Sequence, residues 1–166
     1  MLKPTDHPNP AIRPLRPSDR RAHDFLVAEL DMLHHEALPA LIKPPADARV
    51  SDADFRQRLD DPAIFLRGYQ ANRMLVGLVR AELKETGEGR AHRSSRVVRI
   101  EELIVGRQAR GQGIGYALLH AAEHWASEQA ATAIELNVYA FNISAMDFYN
   151  AAGFAPRSMV LSRALV

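Results

Sequence analysis

Residues Arg110 to Gly115 read R-G-Q-G-I-G and stand immediately ahead of an apolar run with helical spacing. A helix that begins there presents unpaired backbone N–H groups, and the positive end of its dipole, to whatever lies in front of it. Gly111, Gly113 and Gly115 allow backbone conformations closed to other residues and let a ligand approach the main chain. Arg107 and Arg110 add charge suited to phosphate oxygens. The segment has the chemistry of a phosphate cradle, although a tight strand-to-helix connection uses glycines in the same way. Spacing narrows the ligand. A P-loop needs Lys and then Ser or Thr after its last glycine, whereas Ile114 and Gly115 follow Gly113 here. A dinucleotide fingerprint needs G-x-G-x-x-G, and Tyr116 stands where its third glycine belongs. Glu135 lies at a distance that imitates the ribose-binding acid of that fingerprint, but it falls inside a strand pattern and not at a strand end. A Walker-type NTPase is excluded and a Rossmann domain keeps little support.

Upstream, Glu101 and Glu102 are neighbouring acids in the strand-like run Val97 to Val105. Successive strand residues point to opposite faces, which groups Glu101 with Leu103 and Val105, and Glu102 with Ile104, unless a bulge changes the count. In a site, such carboxylates take protons or hold cations; otherwise they are solvated. The chain has no cysteine, which removes disulfides, thiolate metal sites and a protein thiol nucleophile together. His34 and His35 are adjacent rather than four apart and no helical H-x-x-x-H or H-E-x-x-H pairing is read, so no metal site is expected.

These groups need elements to position them. Ala11 to Leu15 reads as an edge strand, with Ser18 as the N-cap of a helix that carries Ala22, Phe25, Leu26, Leu30 and Leu33 at helical spacing. The S-x-x-D box of Ser51 to Asp54 starts a second helix, which Pro62 stops. Ile64 to Tyr69 and Met74 to Leu83 form a hairpin about Asn72, and Lys84 to Arg96 reads as a solvated loop before the strand Val97 to Val105. A helix runs from Ile114 to about Gln129, a strand covers Ala133 to Tyr139, Asn142 caps a helix that ends near Gly153, and Arg157 to Leu165 is a last strand. The helix between the strands ending at Val105 and beginning at Ala133 makes a right-handed crossover, which sets those strands parallel and adjacent. Function is expected near their C-terminal ends.

Two stretches carry a family resemblance. Val97 to Leu119, V-V-R-I-E-E-L-I-V-G-R-Q-A-R-G-Q-G-I-G-Y-A-L-L, resembles the acetyl-coenzyme A motif of the GNAT N-acetyltransferases, with its R/Q-x-x-G-x-G/A signature at Arg110, Gly113 and Gly115. Ile134 to Phe154 is similar to the family's later strand and N-x-x-A-x-x-F-Y-x-x-x-G-F helix, and Ile12 to Asp19 to its first strand and helix cap. The resemblance implies an α/β domain of α+β type over residues 11–166, after an extended arm at 1–10. Its sheet would be mixed and mostly antiparallel, with six to seven strands, about four flanking helices and a splayed central parallel pair. It implies acetyl-CoA as acyl donor, held by Arg110, Gly111, Gln112, Gly113, Ile114 and Gly115. Pantetheine and oxyanion contacts would come from the backbone of Leu103, Ile104 and Val105, with Asn142 on the pantetheine arm or serving as a helix cap. By similarity to polyamine-type N-acetyltransferases, which carry such an acidic pair, Glu101 is the expected base and Glu102 the contact for the substrate ammonium. Tyr149 corresponds to the tyrosine that serves as general acid at the coenzyme sulfur, and a phenol is protonated at neutral pH.

Composition bounds the acceptor only loosely. A charge of +1 from 21 basic and 20 acidic residues speaks against nucleic acid, and no apolar run is long enough for a membrane span. The first ten residues lack the apolar core of a secretory signal, so a cytoplasmic location is expected. The acceptor is expected to be a primary amine on a small molecule, attacked directly in a ternary complex. A protein or peptide amine, or a silent acetyl-CoA-binding domain, are the alternatives. Asp31 and Glu36 join Glu101 and Glu102 as charges that would complement a cationic acceptor, with solvated helix residues as the plainer reading of the first two. A homodimer is left open.

Overall fold

The computed structural model describes residues 11–47, 50–91 and 93–163. The arm expected at 1–10 lies outside them.

Among the described residues five strands form one sheet in the order β1-β2-β3-β4-β5. They are β1 (Ile12–Pro14), β2 (Ile64–Ala71), β3 (Met74–Thr86), β4 (Ser95–Val105) and β5 (Ala133–Leu136). All pairings are antiparallel except β4 with β5, which is parallel. Four α-helices accompany the sheet among the described residues: α1 (Arg20–Ala37), α2 (Asp52–Asp60), α3 (Ile114–Glu128) and α4 (Ile143–Ala151). The mixed, mostly antiparallel class is therefore as expected, but the parallel pair lies at the end of the described sheet and not at its centre, because β5 has no neighbour beyond it among the described residues.

One face of the sheet packs against α3 and the other against α1 and α2, and strand alternation supplies the two sets of side chains. On one face Val79, Ala81, Val98 and Ile100 pack against Ile114, Leu118, Leu119, Ala122 and Trp125 of α3. On the other, Leu78 and Ile104 meet Leu26 of α1, and Phe55 of α2 packs with Leu15 and Leu66. Hydrogen bonds fix the helix starts. Asp19 accepts both guanidinium nitrogens of Arg13, at 2.7 and 2.8 Å, and the N–H of Arg16 at 2.7 Å, and the Arg13 bonds hold its carboxyl below the usual range. Asp19, not Ser18, is thus the residue that organises the entry to α1. Ser51 caps α2 by accepting from Asp54 N–H at 3.1 Å.

The differences from expectation have physical causes. Phe25 and Leu33 are exposed, and His23 is buried on α1 against Phe55 in their place, so the buried stripe of α1 is rotated from the one its apolar residues mark. The hairpin β2–β3 turns on Asn72 and Arg73, both at positive φ. The loop after it is shorter than Lys84 to Arg96, because cross-strand bonding continues to the pair Thr86–Ser95. β5 stops at Leu136 and does not reach Tyr139: its pairing with β4 ends at Ile100, where the register of β4 against β3 shifts. Residues 157–163 of the expected last strand have no ladder partner among the described residues, which leaves five strands instead of six or seven; the end of that strand falls outside them.

Leu118 is fully buried at the centre of the α3 face. Leu118→Ala is expected to destabilise the protein by about 2–5 kcal/mol in urea unfolding; a loss below about 1 kcal/mol would mean that this core is not packed as described.

Candidate active site

The register of β3 with β4 shifts by one residue at the acidic pair. Arg80 faces Glu102 and Ala81 faces Ile100, which leaves Glu101 as the extra residue of a β-bulge. The bulge inverts the alternation along β4: Val98 and Ile100 belong to the α3 face, whereas Ile104 belongs to the α1 face. It also coincides with the end of the parallel pairing, Ile100 with Leu136. β4 continues to Val105 without β5 beside it, and a cleft of about 240 Å³ opens between the two.

Glu101, Glu102, Leu103, Asn142 and Tyr149 all line this cleft. Glu101 is exposed and makes no ion pair among the described residues. Glu102 is mostly enclosed, its side chain 14% exposed, and its Oε1 accepts from Nη2 of Arg80 at 3.1 Å. Arg80 also donates to Glu82. The second carboxylate oxygen of Glu102 is buried with no partner among the described residues. The pair is therefore divided: one carboxylate is tied to a guanidinium and the other is open to the cleft. Burial, with the charge of Glu102 adding to it, pushes the Asp31 carboxyl up, while His34 opposes the rise. Burial likewise pushes the His34 imidazole down, against the pull of Asp31, which keeps the ring neutral at pH 7. Glu36, the other α1 acid that was considered, is exposed.

The far wall comes from the chain after β5. Asn142 Oδ1 caps α4 by accepting from Ala145 N–H at 3.1 Å, so its capping role is observed, and the residue also borders the cleft. On α4 the neighbours Phe148 and Tyr149 part company. Phe148 packs against Tyr116, with ring centroids 4.7 Å apart, and a Cβ on Gly115 would come within 3.3 Å of it. Tyr149 turns to the cleft instead, and burial raises its phenol to about 12. It is a proton donor throughout the neutral range.

The glycine segment lies between β4 and α3. Gly111 and Gly113 adopt positive φ values of 74° and 76°, which side chains rarely tolerate, and a Cβ built on either would meet open space. Gly113 is the N-cap of α3. The backbone N–H groups of Ile114, Gly115 and Tyr116 thus begin the helix without intrahelical acceptors and face an uncluttered surface. This is what a pyrophosphate requires. Arg110 is exposed, with Nε donating to the carbonyl of Val105 at 2.9 Å. That carbonyl is consequently engaged by the protein itself. Ile104 is buried, with its side chain in the α1 core, so only its backbone can meet a ligand. Gln112 Nε2 donates to Gln108 at 3.4 Å and its side chain is otherwise exposed.

Three contributors were not singled out from sequence. Arg80 looks like any strand arginine until the bulge sets it opposite Glu102. His34 lines the cleft with Leu30, one turn earlier on α1, and that i, i+4 relation was a readable signal. Tyr139 borders the cleft with its ring 5.2 Å from His34. His120 and His124 do stand four apart on α3, a pairing the metal reading overlooked, but each ring faces its own glutamate, at 3.0 Å from Glu123 and 3.5 Å from Glu128. Among the described residues no three metal-ligating groups gather, and no helix is long and apolar enough to cross a membrane. Glu135 binds Arg99 and Arg157, so it serves as a structural ion-pair partner and not as a ribose acid.

Known proteins place this geometry. The chain is similar in fold to a tetramutant of the BH1408 protein from Bacillus halodurans, at 21% identity and a TM-score of 0.87, over 93% of this chain and 99% of that one. It is also similar to the aminoglycoside N-acetyltransferase AAC(6')-Iy solved in complex with CoA, at 17% identity and 0.69, over 93% and 99% of the two chains. The aminoglycoside 6'-N-acetyltransferase AAC(6')-IG from Acinetobacter haemolyticus gives 16% identity and 0.65, over 93% and 97%. No curated protein matches the chain. Residues 28–154 match the acetyltransferase (GNAT) family, a span that contains the bulged strand, the glycine turn and α4: the chain belongs to the GNAT acetyltransferase family.

Proposed function

We propose that the protein transfers the acetyl group of acetyl-CoA to a primary amine of a small molecule, by direct attack within a ternary complex. The observation that carries this reading is the meeting of Glu101, Glu102 and Tyr149 in one cleft next to the open start of α3. The solved relatives named for aminoglycoside acetylation support a small amine acceptor as a class, without fixing its identity.

Gly111 to Gly115 and the α3 N-terminus would hold the pyrophosphate, Asn142 and the backbone of Leu103 and Ile104 the pantetheine arm. The bound cosubstrate supplies an activated acetyl thioester. An alkylammonium with a pKa near 10.4 is neutral in only about one molecule in two to three thousand at pH 7, a cost of roughly 4–5 kcal/mol. Glu101, open and unpaired, takes that proton, directly or through one water. The amine nitrogen then forms a bond to the carbonyl carbon, whose π electrons move to oxygen; as this tetrahedral adduct collapses, the nitrogen gives its remaining surplus proton to water, the carbon–sulfur bond breaks with its electron pair on sulfur, and Glu101 returns its own proton to solvent. Tyr149 gives its phenolic proton to the sulfur and is reprotonated from solvent. Glu102, fixed by Arg80, keeps one buried oxygen for the acceptor's ammonium, and the partly buried Asp31 adds negative potential behind it.

Release of CoA measured over a panel of diamines, polyamines, aminoglycosides and peptides tests the reading. Turnover on a small primary amine is expected; binding of acetyl-CoA without turnover on any of them would favour a silent domain. With an active amine, Tyr149→Phe is expected to lower kcat about 10²-fold or more while leaving acetyl-CoA affinity nearly unchanged. Because the phenol is held near 12, its protonated form is present at every pH up to about 10, so the loss should be uniform from pH 6 to 10. Unchanged turnover removes Tyr149 from the mechanism. Glu101→Gln is expected to alter the pH–rate profile as well as the rate; a wild-type profile would show that the base lies elsewhere.

A further inference from the structure

The coenzyme and the acceptor must reach the cleft from different sides. α3, whose start would hold the pyrophosphate, packs on one face of the sheet and α1 on the other, which leaves the α1 side to the acceptor. Glu102 belongs to that side: it stands two residues before Ile104 of the α1 core, and its charge acts on Asp31 of α1. Leu30 and His34 of α1 line the cleft from there.

His34 meets two rings from the segment after β5. Its centroid lies 5.2 Å from Tyr139, with the planes at 67°, and 6.0 Å from Phe141, with the planes at 80°. Tyr139 and Phe141 stack on each other at 5.6 Å and 18°. Edge-on and offset-stacked contacts are the arrangements aromatic rings prefer, so the three form one ordered cluster between α1 and the β5–α4 segment. The cluster is not closed off, since Tyr139 is 38% exposed and Phe141 36%. Adjacent aromatic rings left open beside a cleft are a surface with more area to bury. Neither Phe141 nor Tyr139 has a task in the proton transfers or in holding the coenzyme.

The charge at this end of the cleft is limited. Glu101 and Glu102 are the acids that line it among the described residues. In the proposed reaction the first takes a proton, and the second is already bound to Arg80. Asp31 stands behind Glu102, where burial works against its charge, and Glu36 is outside the lining. The site thus offers negative charge to one ammonium and aromatic surface to the rest of the molecule. A second ammonium would leave water for a wall of Leu30, His34 and Tyr139 that holds no carboxylate to receive it, and the faces that Tyr139 and Phe141 turn to each other are taken. We propose that His34, Tyr139 and Phe141 select the acceptor, and that it is a monoamine with an aromatic ring joined to its primary ammonium by a short alkyl linker. The ammonium lies at Glu101 and Glu102 and the ring packs against Tyr139 and His34. The inference rests on the acetyl-transfer reading and names the substrate class for that site, setting it apart from polyamines and aminoglycosides.

Release of CoA from acetyl-CoA is measured with phenethylamine, butylamine, putrescine, spermidine and kanamycin as acceptors. For the wild type, kcat/KM with phenethylamine is expected to exceed each of the others by about tenfold or more. Tyr139→Ala is expected to lower the ratio of phenethylamine to butylamine by about tenfold, and Tyr139→Phe, which keeps the ring, to restore it. Equal values for phenethylamine and butylamine, or a higher value for putrescine, spermidine or kanamycin, overturn the inference while acetyl transfer to a small amine stands. A ratio that Tyr139→Ala does not move overturns the selecting role of the cluster. Acetylation of none of the five defeats the acetyl-transfer reading and the inference together. The wild-type comparison needs no variant, so the proposal stays testable if Tyr139→Ala fails to fold.

Discussion

One extra residue in one strand governs the arrangement of this protein. The bulge at Glu101 changes which face of the sheet each residue of β4 serves, so Val98 and Ile100 fill the core under α3 while Ile104 fills the core under α1. Bulges bend a strand and increase its twist, and the parallel ladder to β5 ends at the residue before it. From that single feature follow the parted strands, the cleft between them and the unequal surroundings of two adjacent glutamates. A regular strand would send Glu101 and Glu102 to opposite faces; the bulged one lets both border the same space.

The inequality of the two glutamates is the electrostatic core of the site. Glu102 is drawn into a charged row with Arg80, Glu82 and Lys84 across β3 and β4, whereas Glu101 is exposed at the cleft, forms no ion pair among the described residues and acts on Arg99 only through its charge. The carboxylate of Glu102 is held in place by an enclosed guanidinium, and that of Glu101 stands exposed at the cleft. On the opposite wall, burial keeps Tyr149 protonated. In the proposed reaction Glu101 and Tyr149 would serve as proton acceptor and donor from two walls of one cleft, which is the division of labour acetyl transfer requires.

Much of this was legible in the sequence. The glycine turn was readable because its requirements are local: positive φ at Gly111 and Gly113 and close packing at Gly115 are demands on single residues. Asn142 as a cap and Ile114, Leu118, Ala122 and Trp125 as a helical core stripe were readable for the same reason. Phe148 and Tyr149 were harder, because a helix surface alone does not say which of two neighbours faces a ligand; the close approach to Gly115 decides it. Non-local effects were not readable. Whether Glu101 or Glu102 is free depends on Arg80, twenty-odd positions away and visible only once the register is known. The early end of β5 falls where the register of β4 against β3 shifts, and residues 157–163 read as a strand by composition but have no neighbour among the described residues.

The central claim is that one cleft, between the parted strands, brings the coenzyme's sulfur to Glu101 and Tyr149. A crystal structure with CoA tests it most directly. The pyrophosphate is expected against the N–H groups of residues 112–115 and the thiol between β4 and α4, with the Tyr149 hydroxyl within hydrogen-bonding reach of the sulfur and Glu101 facing the space beyond it. CoA seated away from the glycine turn, or a thiol directed away from both side chains, would contradict the account.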